Sequence, residues 1–405
     1  MDVGPDRYSK KFMIRINKLP VYLLLGIILT ACQQRHHADN SAIRLTILLT
    51  ATSDDNTVWL EELGIRASRK IDSVTFTGSV EKTFTIPAKE AGFYILRNEK
   101  GATLTLLLTP GEDAKVMANS DSLTKHYTVN GSPGSAIIQR YTLENSKNML
   151  VYDSLRMVFK QASDQGIFPQ VKELLDSSFQ QLLSRQKSFL QGLIMENPGN
   201  LSSVYLLNQY FGPQLLFDEK KNTALFVLVD SAIMLGYPEN EHAKAHHARV
   251  TAFVEAEKRN QLAEALLLPG KPAPEFNLIT LDNMKMKLSD FKGKPVLVYF
   301  WQSMHAVSRK ENLALAHAVK SSGVSLPKLL CVCFDADPEM TRAAVRIDGL
   351  PGIHLNDVSG LNGKLATSYN LKHIFPRYVL VGSDGTIKKT AASITEWLNQ
   401  SKPLL

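Results

Sequence analysis

Three small groups of residues in this sequence have types and spacing that could do chemistry. His305 and Ser308 stand three apart in "FWQSMHAVSRKE", where an apolar run ends and a helix is expected to begin. An imidazole and a hydroxyl so spaced share one helix face and could pair as base and nucleophile. The pattern supplies no acid to orient them. Cys331 and Cys333 lie at i and i+2 in the apolar run "KLLCVC". A strand puts both on one face, where a disulfide between them would need distortion and burial would suppress the thiolate. Core packing follows, with a redox role as its competitor. Glu241-His242, His246 and His247 form the third group, with 242 and 246 one helical turn apart, as two metal ligands can be. The general base of an HExxH pattern is missing and no third ligand is near, so these residues read as a solvated helix face. No metal is assigned, and no cofactor is expected.

The chain that must position these groups has 405 residues, enough for two or three domains, and a globular composition of 44% hydrophobic and 21% charged residues. Its formal charge of +7 includes five basic residues against two acids within 1–31, so about +4 remains beyond that segment. Those remaining lysines and arginines are dispersed among acids and not interleaved with aromatics, which argues against a nucleic-acid partner.

"MIRINKLPVYLLLGIILTAC", beginning at Met13, joins a basic stretch to the apolar run Val21 to Leu29 and then Thr30-Ala31-Cys32. This reads as a secretory signal over 1–31, too short in its apolar core to span a bilayer comfortably. Leu29-Thr30-Ala31-Cys32 resembles the bacterial lipobox. The resemblance implies acylation of Cys32, which makes the lipid bilayer a partner, and a polar tether over 32–42. Gln33-Gln34-Arg35 carries no acidic run of the kind associated with surface export, so a periplasm-facing anchor in the cell envelope is expected. Besides Cys32 the chain has Cys331 and Cys333 alone, so it is not disulfide-stapled despite an oxidising compartment.

From residue 43 to 131 short runs rich in Thr, Val, Ile and Phe alternate with Gly, Asn and Asp. RLTILLTA, VWLEELG, SVTFTGSV, KTFTIPA, GFYILRN, ATLTLLLTPGE and HYTVNGS each fit a strand, which predicts an antiparallel β-sandwich. Around "NGSPGS" the punctuation becomes that of a linker, and 136–268 reads as helical. Val171, Leu174, Leu175, Phe179, Leu182, Leu183, Phe189 and Leu190 keep near-helical spacing up to the stop at Asn197-Pro198-Gly199.

From 269 to 402 the sequence resembles the TlpA/ResA-type thioredoxin-like domains and their AhpC/TSA-related peroxiredoxin relatives. The resemblance rests on Gly270-x-x-Ala273-Pro274-x-Phe276, Leu288-Ser289-Asp290-Phe291-Lys292-Gly293-Lys294, the run "VLVYFW", then "KLLCVCFDADPE" and finally "LATSYNLKHIFPRYVLVGSDGTI". With the preceding regions and leader, the layout resembles multi-domain thioredoxin-like lipoproteins of Bacteroidota. The resemblance implies a C-terminal α/β thioredoxin-like fold, a cis-proline at Pro376 and a hairpin turn at Asp384-Gly385. It also implies where the reactive cysteines would stand. Relatives read Phe-Trp-Ala-x-Trp-Cys-x-x-Cys-Arg-x-Glu, and this chain aligns without a gap, placing His305 and Ser308 at the two cysteine positions. Imidazole cannot form the mixed disulfide and a serine cannot close one.

What remains by resemblance is a groove. In redox-active relatives an extended peptide adds as a strand beside the proline. Trp301, Met304, His305, Phe375 and Pro376 are its expected lining, with His305 and Ser308 as degenerate active-site positions. The reading is an envelope binding or scaffold protein without thiol–disulfide activity, its partner an extended peptide or envelope protein. The alternative is a thiol–disulfide oxidoreductase or peroxiredoxin-like antioxidant protein in the broad family sense.

Overall fold

The computed structural model describes residues 42–52, 56–321 and 327–399. The expected signal, Cys32, the tether as far as residue 41, and residues 400–402 lie outside the described residues.

The first region forms β1 (Ala42–Thr50), β2 (Asn56–Leu63), β3 (Ser68–Phe76), β4 (Ser79–Pro87), β5 (Gly92–Asn98), β6 (Thr103–Leu108), β7 (Asp113–Asn119) and β8 (Tyr127–Asn130). Along β1, Ile43, Leu45, Ile47 and Leu49 are buried and the residues between them are not, the period of a strand with one face on a core. The strands make two four-stranded sheets, ordered β4-β1-β7-β8 and β3-β2-β5-β6. Leu45 and Val116 of one sheet and Leu60 and Leu96 of the other share a single core.

Two details differ from the antiparallel expectation. β1 and β7 run parallel. Alternation in sequence fixes which face of a strand is buried but not the direction of a partner far along the chain. "SVTFTGSV" is not one strand either, because it contains the turn from β3 to β4, where Gly78 takes a φ of +73°.

The next region holds α1 (Pro133–Asp164), α2 (Phe168–Glu196), α3 (Ser202–Leu207), α4 (Thr223–Gly236) and α5 (Glu241–Ala265). A short hairpin, β9 (Tyr210–Phe211) with β10 (Gln214–Leu215), interrupts the helices and was not announced by their periodicity. Ser132 caps α1, and the hydroxyls of Ser132 and Ser135 both donate to the Leu107 carbonyl at 2.8 Å. Asn240 caps α5 and donates from Nδ2 to the Ala91 carbonyl at 2.7 Å. The helices are thereby seated on the β5–β6 side, where Phe93 and Leu107 join Ile138, Tyr141 and Leu206 in a second core.

Only part of the α5 group is the solvated face expected of it: His247 is half exposed and Glu241 is exposed, while His242 and His246 turn inward. His246 is buried and stacked on Phe226 at 6.1 Å, and His242 packs edge-on against Phe93 at 5.0 Å. Burial lowers the pKa of both, leaving flat neutral rings that pack as aromatics do. His247 turns outward, half exposed, with Nδ1 3.0 Å from Asp230. Residues one turn apart share a face, and here that face meets the core. Among the described residues no three metal-ligating side chains converge.

The last region comprises β11 (Asn277–Thr280), β12 (Lys285–Lys287), β13 (Val296–Trp301), α6 (Ala306–Ser321), β14 (Lys328–Cys333), α7 (Pro338–Asp348), β15 (Ile353–Asn356), α8 (Lys364–Ser368), β16 (Arg377–Val381), β17 (Ile387–Ala391) and α9 (Ile394–Asn399). Its sheet is ordered β12-β11-β15-β14-β13-β16-β17. β13 runs parallel to β14, with α6 as the crossover, and antiparallel to β16. All six β13 residues are buried. Val296, Val298 and Phe300 face one core, while Leu297, Tyr299 and Trp301 face another. Burial on both faces is why the strand reads as an unbroken apolar run.

Candidate functional site

β13 delivers the chain to the turn Gln302-Ser303-Met304, and that turn is held from the side. The buried Asp335, just beyond β14, accepts from the Ser303 N–H at 3.1 Å and from the Thr341 hydroxyl at 3.0 Å. Asn356 in turn donates to the Asp335 carbonyl at 2.9 Å. The sequence reading missed Asp335 as a positioning residue. Its signal was an acid directly after a buried strand, in "CVCFDADPE".

His305 is the cap of α6. Its carbonyl accepts the first intrahelical bond, from the Arg309 N–H at 3.0 Å. Its Nδ1 accepts from the Ser308 N–H at 3.3 Å and lies 3.0 Å from Ser308 Oγ. The Gln302 N–H donates to the same hydroxyl at 3.4 Å. A side chain that satisfies an orphan N–H of the first turn does the work of an Asn or Ser cap. We therefore expect His305→Ala to cost about 1 kcal/mol in urea unfolding and His305→Asn to retain most of it. An alanine variant as stable as the parent would remove the capping role.

The 3.0 Å contact between imidazole and hydroxyl matches a base–nucleophile pair in distance. Ser308 is fully buried, however, and cannot meet a substrate. Beneath it, the Tyr299 hydroxyl lies 2.9 Å from Asn312 Oδ1, and Asn312 donates to Asp348 at 2.8 Å. Arg309 closes the network with a two-pronged pair to Asp348 at 2.6 and 2.7 Å. The hydroxyl belongs to the foundation of the turn.

Facing the turn, the Phe375–Pro376 bond is cis, and the Phe375 ring lies 5.3 Å from the His305 ring at an interplanar angle of 51°. Met304 stands at the rim, 76% exposed. The structure thus brings Met304, His305 and Phe375 together, while Pro376 beside them is buried and is not part of the exposed lining. The structure also removes Trp301 from the expected lining, because that side chain is wholly buried with Leu315, Cys333 and Trp397. Alternation along β13 places its last residue in the core that Leu297 and Tyr299 share.

Cys331 and Cys333 are free thiols on the same face of β14, both buried. Cys331 Sγ lies 3.3 Å from the Pro351 carbonyl oxygen. Burial pushes the Cys331 thiol up and, as the largest of several influences, pushes Cys333 up to about 12. Neither supplies thiolate at neutral pH. A maleimide at pH 7 is expected to leave both unlabelled in the native chain and to label both in denaturant. Labelling of the native protein at the rate of a free thiol would contradict this.

The sheet order, with a crossover helix capped opposite a cis-proline loop, is that of a thioredoxin-like domain. Residues 269–390 match the model of the AhpC/TSA family. Among similar solved structures is the thioredoxin domain of a thiol-disulfide oxidoreductase from Bacteroides vulgatus, 25% identical, covering 34% of this chain and 98% of that one with a TM-score of 0.29. A thiol-disulfide oxidoreductase from Bacteroides fragilis is 24% identical over 33% of this chain and 100% of its own, with a TM-score of 0.29. A thiol:disulfide interchange protein from a Bacteroides species is 27% identical over 34% of this chain and 90% of its own, again with a TM-score of 0.29. No curated protein matches the chain. The C-terminal region therefore carries an AhpC/TSA-type thioredoxin-like domain, and the match does not extend to the regions before it.

Proposed function

We propose that this protein is a lipid-anchored binding or scaffold protein of the cell envelope whose thioredoxin-like domain has exchanged thiol chemistry for peptide binding. One observation carries the reading. At the helix N-terminus, where exchange would need an exposed thiolate, His305 caps α6 through the Ser308 N–H and the Ser308 hydroxyl is buried against it. The remaining surface, Met304, His305 and Phe375 beside the buried Pro376, would form the groove in which an extended peptide or envelope protein adds as a strand. Acylated Cys32 would hold the chain to a periplasm-facing leaflet. The layout is then a β-sandwich over 43–131, a helical region over 136–268 and the thioredoxin-like domain over 269–402.

A second reading, thiol–disulfide oxidoreductase or peroxiredoxin-like protein, draws its support from the AhpC/TSA match itself. It would need Cys331 and Cys333 or a partner that brings thiols. Binding is tested with the full chain in detergent and carboxymethylated α-lactalbumin, an unfolded polypeptide without free thiols. Saturable binding that Phe375→Ala weakens supports the groove. Binding that is absent, or indifferent to Phe375, removes it.

A further inference from the structure

The last turns of α5 do not merely lead into the C-terminal domain. Leu267, just past the end of α5, is buried in the core of that domain with Phe276, Leu288 and Val379. One turn earlier, Glu264 receives both arms of the Arg377 guanidinium, at 2.6 and 2.7 Å. Arg377 is 1% exposed and is the residue directly after Pro376. Asn370 donates to Glu264 at 2.7 Å and to the Asn260 carbonyl at 3.3 Å, and Arg377 also donates to the Tyr369 carbonyl at 3.2 Å. The loop from Tyr369 to Arg377, which carries Phe375 and Pro376 toward His305, is thus tied at both ends to one helix of the preceding region.

Charge and geometry give this tie direction. Glu264 supplies the counter-charge of the buried guanidinium, and among the described residues Arg377 Nε has no acceptor. A two-pronged pair also fixes orientation, because the planar fork admits one alignment with the carboxylate. Arg377 pairs with Phe300 across β16 and β13, and β13 leads to the His305 turn. Both walls of the groove therefore meet the backbone that this ion pair holds.

We propose that the end of α5 is a working part of the groove wall, with Glu264 acting through Arg377 to position Phe375 and Pro376 against His305. The inference rests on the reading of the groove as a peptide site. Occupancy of the groove and docking of α5 are then coupled, and the coupling acts equally in both directions. The helical region becomes a component of binding, able to report an occupied groove to whatever it touches. Glu264 and Arg377 are positioning residues and do not meet the ligand.

The test uses the full chain in detergent with labelled histidine, assigning the His305 ring signals by comparison with His305→Asn. Phe375 lies close enough to set those signals by its ring current. Glu264→Gln is expected to shift them and to weaken binding of carboxymethylated α-lactalbumin by about tenfold. Glu264→Asp, which keeps the charge, is expected to recover part of both effects. Should Glu264→Gln not fold, Asn370→Gly serves instead, since Asn370 sits at φ +49° and glycine tolerates that conformation. Unchanged His305 signals in a folded variant would overturn the proposal. A parent chain that binds no probe would sink the peptide reading, while the ring signals would still decide whether Glu264 sets the wall.

Discussion

Glu264→Ala is expected to lower the free energy of unfolding by about 3–5 kcal/mol, the cost of leaving a buried charge without its partner. Arg377 is 1% exposed and has Glu264 as its ion-pair partner, so the loss falls on the folded state. Burial of Glu264 opposes its ionisation, but the hydrogen bonds from Arg377 and Asn370, with the nearby positive charge, outweigh it and hold the carboxyl below its usual range. A carboxylate depressed on folding contributes its stability above the unfolded value. That contribution is lost as the pH falls through the folded one. The parent should therefore keep the pair's contribution at neutral pH and lose it on acidification below about pH 4, and Glu264→Ala should not show that step. Urea titrations at neutral and acid pH measure both quantities. A neutral-pH loss of about 0.5 kcal/mol, typical of an exposed pair, would contradict the account.

The second large effect is a gain. His305→Cys/Ser308→Cys is expected to form an internal disulfide and to reduce disulfides where the parent does not. A thiol at the cap position would face the same N–H that Nδ1 now accepts, which favours thiolate at a helix N-terminus. The second thiol would replace a hydroxyl of similar size three residues on. His305→Cys alone should instead stop at a mixed disulfide, since Ser308 cannot resolve it. Mass spectrometry separates these products. A double variant that neither oxidises nor turns over would mean that more than the two side chains has been lost.

How much of this could be read beforehand differs by scale. Continuous apolar runs such as "VLVYFW" declare a strand buried on both faces, and the landmarks from Gly270 to Gly385 order the C-terminal region without a structure. Pairings between distant segments leave no local mark. The parallel match of β1 with β7 and the Glu264–Arg377 pair, 113 residues apart, belong to that class. At the site, the absence of cysteines was plain, but the capping role of His305 was not, because histidine is not a usual cap residue. Trp301 was placed in the groove by its neighbours in sequence, but β13 is buried on both faces and its last residue joins the core of Leu297 and Tyr299. His242 and His246, unlike the exposed His247, were misjudged. Polarity suggested solvent, while a neutral imidazole packs against Phe93 and Phe226 as a ring.

On the reading proposed above, the thioredoxin-like scaffold works without a redox centre. The most direct test of that reading is disulfide-reductase turnover by the full chain in detergent, measured beside Cys331→Ser/Cys333→Ser. Both proteins are expected to remain at background. Turnover by the parent that the double variant loses would contradict that reading and make the β14 cysteines the active site.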